Sequence, residues 1–168
     1  MNSKDILEKA KKYRDYSAQN LSKMIQVPGF SCTEKERVLL LKKLCEEAGM
    51  EDVHIDGLGS LLGRVGKGKK KLVFDAHIDT VGVGDPSQWK NPPHSGLIKD
   101  GLVHGRGSSD QLGGAASMIT AARILKEAAY DGDFTVWFAF TTIEEDCDGL
   151  CWKYLIEEEK FVPDFLVS

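Results

Sequence analysis

Apolar residues recur at helical spacing through residues 4–26, at Ile6, Ala10, Tyr13, Leu21, Met24 and Ile25, until Pro28-Gly29 interrupts the pattern. A second helix is expected next. Thr33 and Glu36 have capping-box spacing, Val38 to Leu44 supply an apolar face, and Gly49 suits the position just past the C-terminus. The period then changes to that of strands. Runs around 52–56 and 60–65 are joined through Gly57 and Gly59, and the basic stretch GKGKKK at 66–71 reads as a solvated hairpin turn into a strand over 72–78. Residues 80–100, with Pro86, Pro92 and Pro93, read as one long polar connection. After GRGSSDQLGG, the small-residue run AASMITAARILKEAA predicts a helix packed closely on a flat surface. Phe134 to Phe140 is a nearly continuous apolar strand, as expected when both faces are covered. A helix over Leu150 to Lys160 and a further buried strand beginning at DFLVS complete the order. The succession describes an α/β layer architecture with helices on both faces of a sheet. The chain stops inside that apolar strand, which suggests a truncated protein.

One strand departs from its own pattern. In LVFDAHIDTVG, residues 72–82, the apolar start gives way to Asp75, His77 and Asp79 at alternating positions. Side chains two apart on a strand share a face, so three ionisable groups collect at the C-terminal end of a core element.

Composition narrows the classes of function. The 168 residues suffice for one domain with a sizeable core, and 42% hydrophobic with 29% charged residues is ordinary for a soluble globular protein. A net charge of −4 argues against nucleic-acid or anionic-membrane partners. No apolar run approaches the roughly 20 residues that span a bilayer, and the charged N-terminus has no signal-peptide core. Cys32, Cys45, Cys147 and Cys151 lack CxxC spacing and read as reduced thiols, although Cys147 and Cys151 beside Glu144 and Glu145 leave a thiolate metal site open. A cytoplasmic location is expected.

Functional groups in open α/β sheets gather outside the carboxyl ends of strands. Three clusters fall at such places: His77 with Asp79, Asp110 within GRGSSDQLGG, and Glu144-Glu145 directly after FTVWFAFTT. The stretches between them each allow one crossover, so the three can converge on one edge. One imidazole and several carboxylates make a hard nitrogen-and-oxygen site suited to Zn²⁺ or a similar ion. Without a cation the carboxylates would repel one another. Paired glutamates allow one to bind metal while the other holds a proton nearby.

AHIDTV, GRGSSDQLGG and TTIEED resemble, in order and spacing, the three signature blocks of the M20 metallopeptidase/amidohydrolase family, and the resemblance covers roughly residues 5–168. The GRGSSDQLGG form is most similar to the branch described as selenium-metabolism hydrolases. The resemblance implies a three-layer α/β/α zinc-exopeptidase-like (phosphorylase/hydrolase-like) catalytic domain with a mixed sheet. It implies that His77 binds one zinc while Asp79 holds and polarises it, and that Asp110 bridges two metals, with a cis peptide before Gln111. Glu144 would be the general base and acid, and Glu145 would ligate the second zinc. Two ions about 3.5–4 Å apart would then clamp a water and the scissile carbonyl. Zn²⁺ is the expected cofactor, with Co²⁺ or Mn²⁺ as substitutes. The substrate class is small peptides or N-acyl amino acids, and a homodimer is an assembly open to the full-length protein.

The family uses two further ligands, an acidic residue after the strand that begins as DFLVS and a distant histidine, together with an inserted lid or dimerisation domain; none is present in residues 1–168. The chain therefore reads as the N-terminal part of a catalytic domain, expected to bind metal poorly and catalyse little alone. A non-catalytic binding module that keeps the fold is the rival reading. The remaining polar candidates read as bland. His54 faces solvent, His94 belongs to a surface loop, and Asp75 is a hydrogen-bonded structural carboxylate. Asp146 and Asp148 complement a helix dipole, and His104 is close enough in sequence to GRG to approach the site.

Overall fold

The computed structural model describes residues 3–168. Helices α1 (Ser3–Lys12), α2 (Arg14–Ile25) and α3 (Lys35–Glu47) precede strands β1 (Glu51–Ile55), β2 (Leu61–Val65) and β3 (Lys70–His77). A short hairpin of β4 (Leu97–Lys99) and β5 (Leu102–His104) leads to α4 (Leu112–Glu127), then β6 (Phe134–Thr141), α5 (Leu150–Glu157) and β7 (Phe165–Val167). The main sheet is mixed, in the order β1-β2-β6-β3-β7. β2 runs antiparallel to β6, while β3 is parallel to both β6 and β7.

Alternation along β3 and β6 divides the layers. Ala76, Val136 and Phe138 join the buried cluster made with α2, α3 and α4. Ala115, Ala116 and Ala122 are buried, and their small side chains let α4 lie close to the sheet. On the opposite face, Trp152 of α5 donates to Asp75 of β3, and Trp137 packs edge-on against Phe161. The result is the expected three-layer α/β/α arrangement.

Several local expectations are corrected. The helix over 4–26 is two helices, broken at Tyr13, where the rings of Tyr13 and Tyr16 both lie against the Arg123 guanidinium of α4. The capping box does not form. α3 starts with Glu34 at its N-cap position and no side-chain cap bond, because the Thr33 hydroxyl donates instead to the Phe30 carbonyl. Gly49 does close the helix, its N–H donating to Glu46 while that of Met50 reaches Cys45.

The basic stretch is not a hairpin turn, since β6 occupies the place between β2 and β3. The connection instead crosses the start of β6, so closely that a Cβ on Gly68 would overlap the Asp133–Phe134 backbone. Among the described residues the strand at DFLVS lies at the end of the strand order, with Phe165, Leu166 and Val167 about half exposed. The long connection also holds the β4–β5 hairpin, turned by Asp100-Gly101 with positive φ at both residues.

Candidate active site

β3 and β6 run parallel and end together, His77 opposite Thr141. The pairing continues one step further, the Ile78 N–H donating to the Thr141 carbonyl at 2.8 Å. Both strands therefore release their chains at the same edge. The segment entering α4 reaches that edge too. Its Asp110-Gln111 peptide is cis, and Gln111 Oε1 accepts the His77 N–H at 2.9 Å.

His77, Asp110, Glu144 and Glu145 are brought together there. His77 Nε2 lies 2.9 Å from Asp110 Oδ1 and 3.6 Å from Glu144 Oε2. One potential ligand atom each from His77, Asp110 and Glu145 falls within 4.8 Å of the others. His77 is nearly buried, whereas the Asp110 side chain is 77% exposed, so the cluster opens to solvent on the acidic side. A small cavity of about 160 Å³ adjoins it, lined in part by His77, Gln111, Thr141 and Glu144. A larger apolar groove, lined by residues of α1, α2 and α4 with Phe74 and Phe138, lies on the other face of the sheet.

Asp79 lies just beyond the strand and is fully buried. His77 Nδ1 is 3.1 Å from the Asp79 carbonyl oxygen and 3.5 Å from its Oδ1. The carboxylate also accepts the Ser31 hydroxyl at 2.6 Å and the N–H groups of Glu144 and Glu145 at 3.1 Å each. Burial alone would raise the Asp79 carboxyl, but the hydrogen bonds from His77, Ser31, Glu145 and Glu144 hold it down to about 2. Burial alone would lower His77. Its bonds to Asp79 and Asp110 and the Glu144 charge outweigh that and carry the imidazole up to about 9. Glu144 is shifted upward, first by desolvation and then by the surrounding acids, against the opposing pull of His77.

These surroundings fit a cation. Carboxylates converge from three segments, and the imidazole among them is driven to keep a proton, the charge a divalent ion would supply in its place. The donors, one nitrogen and two carboxylate oxygens, suit Zn²⁺. Among the described residues this is the one group with such spacing. Cys147 and Cys151 do not join it; Cys151 is buried and its thiol is pushed up to about 11. Asp75 lines the same small cavity but is not one of the grouped ligand atoms, and its carboxylate is bound by Thr141, Trp152 and Ser168. His54 is exposed, His94 lies against the Phe30 ring, and His104 on β5 is outside the cluster.

The sequence reading missed the residues that support the cluster: Ser31, Glu34, Arg37 and Gln111. Glu34 sits in a helix-start pattern that explains it locally, and nothing nearby marks its partner, Ile143, more than a hundred positions away.

The model of peptidase family M20/M25/M40 matches residues 73–168, from the middle of β3 onward. The chain belongs to this family. An uncharacterized protein, YgeY of Escherichia coli K12, is 44% identical over 163 residues, covering 97% of this chain and 40% of that protein. A succinyl-diaminopimelate desuccinylase of Xanthobacter autotrophicus is 32% identical over 107 residues, covering 60% of this chain and 28% of the enzyme. Among solved structures, the M20 family metallo-carboxypeptidase Sso-CP2 of Sulfolobus solfataricus superposes with a TM-score of 0.78 at 22% identity, covering 90% of this chain and 36% of that one. This M20-family chain thus spans at most about 40% of the length of these relatives.

Proposed function

We propose that this chain contributes the N-terminal part of the catalytic domain in a metal-dependent hydrolase of amide or peptide bonds. The activity is assigned to a protein carrying the further segments that its longer relatives possess. The observation that carries the reading is the Glu144 carboxyl. It stands 3.6 Å from His77 Nε2, its side chain is 37% exposed, and its affinity for a proton is raised beside a group of metal-type donors. A scaffold has no use for a free base in that position.

In this reading His77, Asp110 and Glu145 would hold the metal, with Zn²⁺ the ion their nitrogen and oxygen donors suit and Co²⁺ or Mn²⁺ able to substitute. When bound, the metal supplies a Lewis acid for the scissile carbonyl and acidifies water. Asp79 keeps the His77 ring and the Glu144–Glu145 backbone in place. Glu144 takes a proton from the attacking water and returns it to the leaving amine nitrogen. Small peptides and N-acyl amino acids are the substrate class, in keeping with the desuccinylase and carboxypeptidase among the similar proteins.

The test is Glu144→Gln in the full-length protein, assayed on dipeptides and N-acyl amino acids. Hydrolysis should fall by about 10²–10⁴-fold, the usual worth of a general base, with metal content unchanged. Undiminished hydrolysis, or a full-length protein that takes up no divalent metal, would overturn the reading.

A further inference from the structure

From Thr142 to Glu145 the backbone leaves the β6 ladder, yet each of its four consecutive N–H groups donates to a side-chain oxygen. Thr142 donates to Ser60 Oγ at 3.4 Å, Ile143 to Glu34 Oε1 at 3.0 Å, and Glu144 and Glu145 to the two oxygens of Asp79. The acceptors come from three places in the chain: the start of β2, the start of α3 and the end of β3. Backbone donors inside a protein must be paired, and here no neighbouring strand does it.

Glu34 is the unexpected member. It is 5% exposed and makes no cap bond to its own helix, sending its carboxylate across to Ile143 instead. Ile143 needs such a hold. It is β-branched with φ of +64°, a left-handed conformation unfavourable for an L-residue. Arg37, in the first turn of the same helix, is fully buried. Arg37 donates to the carbonyls of Val27, Gly29 and Ile78, and its charge interacts favourably with both Asp79 and Glu34.

We infer that Glu34 is a positioning residue: through the Ile143 N–H it fixes the turn from which Glu144 and Glu145 project. The inference rests on the reading of Glu144 and Glu145 given above. It goes beyond that reading by tying the acidic loop to the start of α3, far from the three blocks in sequence.

Two near-isosteric variants separate reach from charge. Glu34→Gln keeps the length and the accepting oxygen but removes the charge. Glu34→Asp keeps the charge and withdraws the oxygen by one methylene. Amide hydrogen exchange and Co²⁺ titration with visible absorption are measured on the full-length protein. E34D should speed exchange at residues 143–145 by about ten- to a hundredfold, as expected for losing a hydrogen bond to a charged acceptor, while α3 and β6 keep their protection. It should also weaken Co²⁺ binding by about 10–100-fold, as loss of a supporting contact does, and alter the absorption band. E34Q, whose neutral oxygen still reaches the Ile143 N–H, should be perturbed clearly less than E34D in both. Unchanged exchange at 143–145 in E34D overturns the inference, as does a rise spread evenly over the fold. Equal damage in E34Q, or wild-type Co²⁺ binding by a loosened E34D loop, also overturns it. If the wild-type protein takes up no Co²⁺, the metal reading fails, and exchange at 143–145 still decides whether Glu34 holds the loop.

Discussion

Asp79 concentrates several roles in one buried carboxylate, and acid should reveal its contribution. Its carboxyl is lowered from 3.8 to about 2 in the fold. A depressed acid stabilises the folded state above its unfolded value and loses that contribution as pH falls through the folded one. The difference corresponds to about 2 kcal/mol. The stability gap between wild type and Asp79→Asn, from urea unfolding of the metal-free chain, should therefore shrink by about that amount between pH 5 and pH 2. A constant gap would show that the charge on Asp79 adds nothing. Asp79 was legible in sequence because it follows a strand carrying His77, and Asp110 and Glu144-Glu145 stood out for the same reason: charged groups where apolar elements end. Glu34, Ser31 and Arg37 were not legible. Their sequence context is that of an ordinary amphipathic helix start, and their partners at Ile143, Asp79 and Ile78 are set by the closed fold alone.

Periodicity identified most elements, because burial on one face imposes 3.6 along α3 and α4 and a continuous apolar run along β6. It failed where long-range partners intervene. Nothing within residues 4–26 signals the break at Tyr13, which follows from packing on Arg123 of α4. Asp100-Gly101 between apolar pairs did carry a hairpin signal, hidden inside a segment rich in proline. Strand order was the largest omission, since pattern reveals that a strand is buried and not which neighbour buries it. The crossing at Gly68 gives a test of that order. Gly68→Ala should cost about 1–3 kcal/mol, typical of overpacking, because the backbone it meets cannot rotate aside. Gly82→Ala, with open space around its Cβ, should be neutral or slightly stabilising by the same thermal-unfolding measurement. Equal effects at both positions would count against the crossing.

At the scale of the molecule, His77, Asp110 and Glu145 bring one potential ligand atom each from the end of β3, the start of α4 and the end of β6 within 4.8 Å of one another. Zn²⁺ binding to the folded chain should accordingly raise its unfolding temperature, with about 2.7 kcal/mol gained at a hundredfold excess over the dissociation constant. Titration should saturate near one equivalent, the single cluster found among the described residues, and His77→Ala should abolish the shift. Two tightly bound ions would contradict this. The insertion of β6 between β2 and β3 also orders events in time. Within the five-stranded sheet only β1 and β2 are both adjacent and consecutive, so every other pairing waits for distant chain. As the polypeptide leaves a ribosome, neither β2 nor β3 can gain its β6 neighbour until Phe134–Thr141 has been made. Glu144 and Glu145 follow directly behind that strand, so a chain without β6 in place has no site at all.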